Sequence, residues 1–251
     1  MTKQNTITLR HILPSIVTVL AICAGLTSLR MTFDGRLEAA LYCILLAAVL
    51  DAADGKLARF LDTASPFGAE LDTLADFLNF GIAPGILLYY TFFLGTDHAN
   101  LGWMAAMIMA ICCALRLARF NISVKTETTD DSGNDYFVGV PAPALGSLAL
   151  MPVFAQLHGF STTDWPVFQA IYMIFVGLLA VSTVPTFSIK HVSIGRAHFP
   201  VVITLTSILI ICLMTYPWPT LIAANLMYLV SLPLSYLSHQ KLARAVADAN
   251  S

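Results

Sequence analysis

The sequence predicts an all-α integral membrane protein, built as a bundle of about eight transmembrane helices. Of its 251 residues, 57% are hydrophobic and only 11% are charged, and the mean hydropathy is +0.77. Soluble domains carry roughly 25% charged residues. The net charge of -2 and the lack of a Lys/Arg-rich run argue against a nucleic-acid partner.

Eight apolar stretches come close to the roughly 20 residues that a helix needs to cross the hydrocarbon core. The predicted spans are residues 11–29, 37–57, 70–95, 99–119, 140–159, 166–187, 198–215 and 217–237. Most of the links between them are too short for an additional soluble domain. We therefore expect residues 1–251 to form a single membrane domain.

The basic residues indicate how the bundle is oriented. Eight spans place both termini on one side, and all basic residues except Arg30 and Arg36 fall on that side. They are Lys3, Arg10, Lys56, Arg59, Arg116, Arg119, Lys125, Lys190, Arg196, Lys241 and Arg244. By the positive-inside rule this side is cytoplasmic. The termini, the polar loop at 121–137 and any chemistry are therefore expected at the cytoplasmic face.

A group of carboxylates interrupts the apolar pattern between residues 51 and 76. Asp51 and Asp54 lie three residues apart at the end of the second span, so a helix places both on one sector. Asp72 and Asp76 lie four residues apart at the start of the third span, in a stripe that begins with Gly68. If the LDTASP link folds the two helices together, four carboxylates face one point near the membrane surface.

Four carboxylates at one point repel one another strongly unless cations neutralise them. Oxygen ligands suit hard divalent ions such as Mg²⁺ or Mn²⁺, and two such ions form a clamp for a phosphoanhydride. Gly55 and Gly68 leave room for a nucleotide diphosphate against the backbone, although small residues also allow close helix packing in membranes. Asp62 and Glu70 fall off both stripes and are expected to be surface charges.

The complete pattern resembles the signature of the CDP-alcohol phosphotransferase family, with every fixed position present. Those positions are Asp51, Asp54, Gly55, Ala58, Arg59, Gly68, Asp72 and Asp76. Members transfer a phosphate-linked group from a CDP-activated donor to an alcohol and release CMP. They use a dinuclear metal site in a six-helix bundle. The resemblance implies a six-helix catalytic core over residues 10–190, followed by two additional helices over residues 198–237.

The resemblance also implies roles for the signature residues. Asp51, Asp54 and Asp72 would bind two divalent ions, Mg²⁺ or Mn²⁺, together with Asp76, which would also take the proton from the attacking hydroxyl. The first span, LPSIVTVLAICAGL, resembles the first helix of the family. The residues implied to bind the nucleotide are Thr18, Gly55, Ala58, Arg59 and Gly68.

Two further segments narrow the choice of acceptor substrate. RLARFN at 116–121 and FVGVPAP at 137–143 resemble segments typical of the branch of the family whose acceptor is L-serine. This resemblance implies transfer of the phosphatidyl group from CDP-diacylglycerol to L-serine by a homodimer in the membrane. Arg116 and Arg119 lie one helical turn apart and can face a carboxylate or a phosphate, with Asn121 beside them. Both arginines can instead anchor the cytoplasmic end of the span.

Other interpretations stay open from the sequence. Glycerol 3-phosphate, inositol phosphate or choline as acceptor needs only a different pocket, and the two phosphorylated acceptors call for a cation cluster that Lys125, Lys190 and Arg196 can join. A membrane prenyltransferase also uses aspartates and Mg²⁺, but its Asp-rich motifs usually lie much farther apart in sequence. A cation transporter can line its pathway with the same carboxylates, although such sites are expected near the bilayer midplane, between inverted repeats.

Overall fold

The computed structural model is helical apart from two three-residue strands that pair antiparallel, Tyr136–Val138 and Pro185–Phe187. The structure describes the chain over residues 9–63, 65–126, 136–182, 185–187 and 199–249. It describes side chains over residues 12–63, 65–123, 139–182 and 200–233. Lys125, Lys190 and Arg196, the cations considered for a phosphorylated acceptor, lie outside the described side chains.

Every predicted span overlaps at least one helix. The helices are α1 (Leu9–Phe33), α2 (Leu37–Phe60), α3 (Pro66–Asp76), α4 (Ala83–Phe92), α5 (Ala99–Thr126), α6 (Ala142–Ala149), α7 (Met151–Leu157), α8 (Pro166–Val181), α9 (Phe199–Thr215) and α10 (Pro217–Ala249). A π-helical segment, Phe77–Ile82, joins α3 to α4. The strands β1 (Tyr136–Val138) and β2 (Pro185–Phe187) precede α6 and follow α8.

Several helices have the length and composition of membrane spans. Within the described residues three qualify: Ile12–Phe33, Pro66–Phe92 and Ala99–Ser123. Pro166–Val181 and Pro200–Thr215 are shorter apolar helices. Large apolar side chains of α9, among them Leu205, Ile211 and Met214, are exposed, as expected for a surface that faces lipid. The protein is an integral membrane protein with an all-α fold, and the predicted number of eight crossings stays a prediction.

The structure differs from the predicted spans at two prolines. The span at 140–159 is two short helices that break at Leu150, because Pro152 lies in the first turn of α7 and cannot donate a backbone hydrogen bond. The span at 166–187 is too long as predicted: α8 ends at Val181, and β2 begins at Pro185.

The core places the aspartate helices against the rest of the bundle. α1 packs along α2, and α5 packs along α8 and the π-helical segment. Phe80 of the π-helical segment is fully buried among Leu87, Met109 and Leu145. Gly25 of α1 is required at this interface, because a Cβ there would collide with the buried side chain of Asn79. The close approach holds α1 against the segment that follows Asp76.

Candidate active site

The last turns of α2 carry two aspartates on the side that faces α1 and α3. Asp54 is 4% exposed, whereas the neighbouring Ala52 and Ala53 are exposed. Thr18 of α1 donates from Oγ1 to Asp54 Oδ2 at 2.5 Å and is itself buried. The hydrogen bond is therefore shielded from solvent, and it fixes the orientation of the Asp54 carboxylate.

The second pair of aspartates lies on α3, whose start is well defined. Ser65 is the N-cap residue and accepts a hydrogen bond from the backbone N–H of Gly68 at 3.0 Å. Pro66 occupies the first turn, where its missing N–H has no cost. Asp72 and Asp76 lie one turn apart on this helix, and both interact electrostatically with Asp51 of α2.

The LDTASP link brings the two pairs together, as the sequence predicts. Carboxylate oxygens of Asp51, Asp54 and Asp72 all lie within 4.8 Å of one another. Asp76 lies next to this group, and its carboxyl group interacts electrostatically with those of Asp51 and Asp72. Asp76 Oδ1 is buried and has no hydrogen-bond partner within the described residues.

The donor set of this cluster fits a divalent cation. Like charges at this spacing repel in a partly buried site, and neither an arginine nor a lysine of the described residues pairs with the three carboxylates. The ligand atoms are all oxygens, which hard divalent cations prefer. The unpartnered Oδ1 of Asp76 adds another oxygen beside the cluster. These residues could therefore hold a divalent metal.

A cavity of about 140 Å³ opens beside the aspartates between α1, α2 and α3. Nothing lies within 4 Å of the point where Gly55 would carry a Cβ. A Cβ at Gly68 would lie 3.1 Å from Ser65 Oγ, so a side chain there would crowd the N-cap. The lining residues are Pro14, Ser15, Thr18, Asp54, Gly55, Ala58, Thr63, Ser65, Gly68, Ala69 and Asp72.

Four of the five residues predicted to bind a nucleotide line this cavity: Thr18, Gly55, Ala58 and Gly68. Arg59 does not line it. Its Nε donates to the Gly55 carbonyl at 3.0 Å, and the side chain is exposed on the surface of α2. Asp62 and Glu70, predicted to be surface charges, are both exposed.

The three residues predicted to bind the acceptor have different surroundings. Arg119 donates from Nη1 to the Val181 carbonyl at 2.7 Å and from Nη2 to the Ser182 carbonyl at 3.2 Å, at the end of α8. Asn121 donates from Nδ2 to Thr73 Oγ1 at 3.0 Å, which ties α5 to α3. Arg116 interacts electrostatically with Asp76, so it is the one of the three that the structure directs to the aspartates.

Sequence reasoning missed two residues near the site. Thr63 lies in the link between the aspartate pairs, lines the cavity, and its buried hydroxyl has no partner in the part of the chain that the structure describes. A hydroxyl inside the LDTASP link was a signal for it. Tyr228 of α10 interacts electrostatically with Arg116. No motif marks Tyr228, because it lies more than 100 residues after Arg116 in an apolar span.

Comparison with known families agrees with the fold and the geometry of the site. Residues 11–182 match the CDP-alcohol phosphatidyltransferase family, and residues 200–233 match a second family described as CDP-alcohol phosphatidyltransferase 2. The first match covers more than half of the chain and contains all four aspartates. The chain belongs to the CDP-alcohol phosphatidyltransferase family and is an enzyme of that type.

Curated relatives cover most of the chain. This chain is 36% identical over 238 residues to the CDP-diacylglycerol–serine O-phosphatidyltransferase of Mycobacterium leprae. The aligned region covers 93% of this chain and 77% of that protein. The protein of the same name from Helicobacter pylori is 30% identical over 203 residues, which cover 80% of this chain and 82% of that protein. The protein of the same name from Methanocaldococcus jannaschii is 35% identical over 169 residues, which cover 67% of this chain and 70% of that protein.

Proposed function

We propose that this enzyme transfers the phosphatidyl group from CDP-diacylglycerol to the hydroxyl of L-serine, giving phosphatidylserine and CMP. The observation that carries the proposal is the meeting of Asp51, Asp54 and Asp72 within 4.8 Å, beside a cavity that Gly55 leaves open. The relatives from M. leprae and H. pylori are named for this donor and acceptor, which supports both substrates.

The aspartate cluster would hold two divalent cations, Mg²⁺ or Mn²⁺. Asp51, Asp54 and Asp72 supply converging oxygens, and Asp76 lies close enough to Asp51 to share in the site. Thr18 keeps the Asp54 carboxylate in one orientation through its buried hydrogen bond. Cations bound there would withdraw charge from the pyrophosphate oxygens and make CMP a better leaving group.

Asp76 is proposed to act as the general base. Its Oδ1 is buried without a partner and is therefore available to accept the proton of the serine hydroxyl. As that proton moves to Asp76, the hydroxyl oxygen bonds to the phosphorus that carries diacylglycerol. The bond from this phosphorus to the CMP oxygen breaks, and CMP departs with the electron pair.

The position of the site suits a donor that stays in the bilayer. The aspartates lie near the ends of α2 and α3, so the acyl chains of the donor can remain in lipid while its cytidine group enters the cavity. Thr18, Gly55, Ala58 and Gly68 would line the nucleotide site. The proposal includes a cytoplasmic active site with both termini on the same side, and assembly as a homodimer, following the basic residues and the family resemblance.

The experiment that tests this function measures CMP release by purified protein in detergent. CDP-diacylglycerol and Mg²⁺ or Mn²⁺ are supplied, and serine, glycerol 3-phosphate, inositol phosphate or choline is offered separately. Release that requires serine and stops in EDTA is expected. Release with another acceptor alone would overturn the choice of serine, and the absence of release with every acceptor would overturn the transferase reaction with this donor.

Replacing Asp76 tests the base assignment. Asp76→Asn removes the proton acceptor, so kcat should fall by about 10²- to 10⁴-fold. Glu70→Gln is the matched control, because Glu70 lies exposed on the same helix and should keep the wild-type kcat. An Asp76→Asn variant with normal kcat would reject Asp76 as the base but would not argue against the proposed metal site.

A further inference from the structure

A second polar group lies behind Asp76, formed by Arg116 of α5 and Tyr228 of α10. Arg116 interacts electrostatically with Asp76 on one side and with Tyr228 on the other. Three buried atoms, Asp76 Oδ1, Arg116 Nε and Tyr228 Oη, lack a hydrogen-bond partner among the described residues. Buried polar groups are normally hydrogen-bonded, so three unpartnered atoms in one cluster indicate a polar ligand between them.

Asn225 shows which face of α10 turns towards the bundle. It is 5% exposed, donates from Nδ2 to the Ser147 carbonyl of α6 at 3.2 Å, and accepts from Ser147 Oγ at 3.1 Å. Tyr228 follows three residues later and therefore lies on the same face of α10. Its ring packs against the buried core, which leaves the hydroxyl inside the bundle on the side of Arg116.

The donors of this cluster define the ligand chemistry. A guanidinium presents only N–H donors, and a phenol at neutral pH supplies an O–H donor, so both are satisfied by an anionic oxygen group. A small hydroxy amino acid whose hydroxyl lies at Asp76 has its carboxylate only a few bonds away, toward Arg116. We propose that Tyr228, together with Arg116, binds the carboxylate of the acceptor and is a specificity-determining residue. This inference rests on the proposed transfer to serine.

The surroundings favour an acceptor with one negative charge. Arg119 lies near Arg116, but its two terminal nitrogens already donate to the Val181 and Ser182 carbonyls. Within the described side chains, Arg116 and the weakly polar Cys113 thiol interact electrostatically with Asp76, and Tyr228 interacts with Arg116. One guanidinium and one phenol match a carboxylate, whereas a phosphate dianion calls for more positive charge.

The test is Tyr228→Phe, which removes one hydroxyl and keeps the ring. The KM for serine should rise about tenfold or more, the loss expected for one hydrogen bond to a charged group, while the KM for CDP-diacylglycerol stays within twofold. Tyr172→Phe is the matched control: the Tyr172 hydroxyl donates to the Leu148 carbonyl at 2.7 Å, away from the aspartates, so this variant should keep both KM values.

A second substrate and a second variant separate the possible results. With serinol, which lacks the carboxylate, wild type and Tyr228→Phe should release CMP at equal rates at the same acceptor concentration. Arg116→Lys keeps the charge but loses the guanidinium fork, and it should also raise the KM for serine, so the inference stays testable if Tyr228→Phe folds poorly.

The inference is overturned if the KM for serine is unchanged in both variants, or if the KM for CDP-diacylglycerol rises instead, because the cluster would then hold the donor phosphate. Failure of the proposed function gives a different result. In that case the wild-type protein itself shows no serine-dependent CMP release, whatever Tyr228→Phe does. The same assay therefore distinguishes the two failures: the wild-type protein reports on the proposed function, and the two variants report on the inference.

Discussion

Thr18 and Asp54 show how a single hydrogen bond prepares the candidate metal site. The Thr18 hydroxyl lies 2.5 Å from Asp54 Oδ2 and 3.1 Å from the Pro14 carbonyl oxygen. Its single proton forms the stronger hydrogen bond with the carboxylate, because that acceptor is charged and closer. Oriented carboxylates bind cations more tightly, because their side chains lose less conformational freedom when the ion binds. The first helix therefore contributes to a candidate site whose carboxylates all lie on α2 and α3.

Thr18→Val should weaken cation binding without removing a ligand. The affinity for Mn²⁺, measured by EPR titration of purified protein, is expected to fall about 10- to 100-fold, the usual effect of losing a group that orients a metal ligand. Thr27→Val is the matched control, because Thr27 lies on the same helix, is exposed and donates only to the Cys23 carbonyl. Equal Mn²⁺ affinity in the two variants would contradict the role of Thr18.

Gly55 offers a test of the cavity as the donor site. Nothing lies within 4 Å of its missing Cβ, so Gly55→Val meets no clash and should keep the melting temperature of the wild type. The added side chain would occupy the open space, and the KM for CDP-diacylglycerol should rise about tenfold or more. Ala53→Val, at an exposed position of the same helix, should leave that KM unchanged. A wild-type KM in Gly55→Val would exclude this face of α2 from the donor site.

The meeting of Asp51, Asp54 and Asp72 was predictable from the sequence, because local rules determine it. A spacing of three or four residues places two side chains on one helix face, and a short link with Ser65 and Pro66 defines where the next helix begins. The electrostatic interaction between Arg116 and Tyr228 was not predictable in this way. It depends on how α10 packs against α6 through Asn225, and no spacing rule relates residues so distant in the chain.

At the scale of the elements, α5 is tied to its neighbours by side chains that the sequence suggested for the acceptor. Asn121 bonds to Thr73 of α3, and Arg119 bonds to the carbonyls at the end of α8. Those carbonyls are available because α8 ends at Val181, six residues before the predicted end. An arginine near a helix terminus satisfies backbone groups or binds a ligand, and only packing decides between these roles.

The bond between Asn121 and Thr73 can be measured as a coupling between α5 and α3. A double-mutant cycle of Asn121→Ala and Thr73→Val, followed by reversible unfolding in mixed detergent, should give a coupling free energy of about 0.5–1.5 kcal/mol. Asn121→Ala alone should keep the KM for serine if its role is structural. A raised KM for serine without coupling would instead assign Asn121 to the acceptor, as the sequence suggested.

At the scale of the whole molecule, the π-helical segment connects the site with the core. A π-helical turn adds a residue and rotates the helix that follows, and such turns occur frequently at functional sites. Here the turn begins directly after Asp76, so α4 can bury Leu87 and Leu88 while α3 directs its aspartates at α2. The hydrophobic pattern of residues 70–95 predicted one continuous helix and gave no sign of this rotation.

The orientation that the basic residues predict for the bundle can be measured directly. The link after α2 carries Asp62 and the link after α4 carries Asp97, and both residues are exposed. If the positive-inside rule holds for this chain, Asp62 lies at the cytoplasmic face and Asp97 at the opposite face. In a variant without native cysteines, Asp97→Cys should react with a membrane-impermeant maleimide in intact cells. Asp62→Cys should react only after the membrane is permeabilised. The reverse pattern would place the aspartates outside, where a cytoplasmic nucleotide donor could not reach them, and would reject the proposed location of the active site.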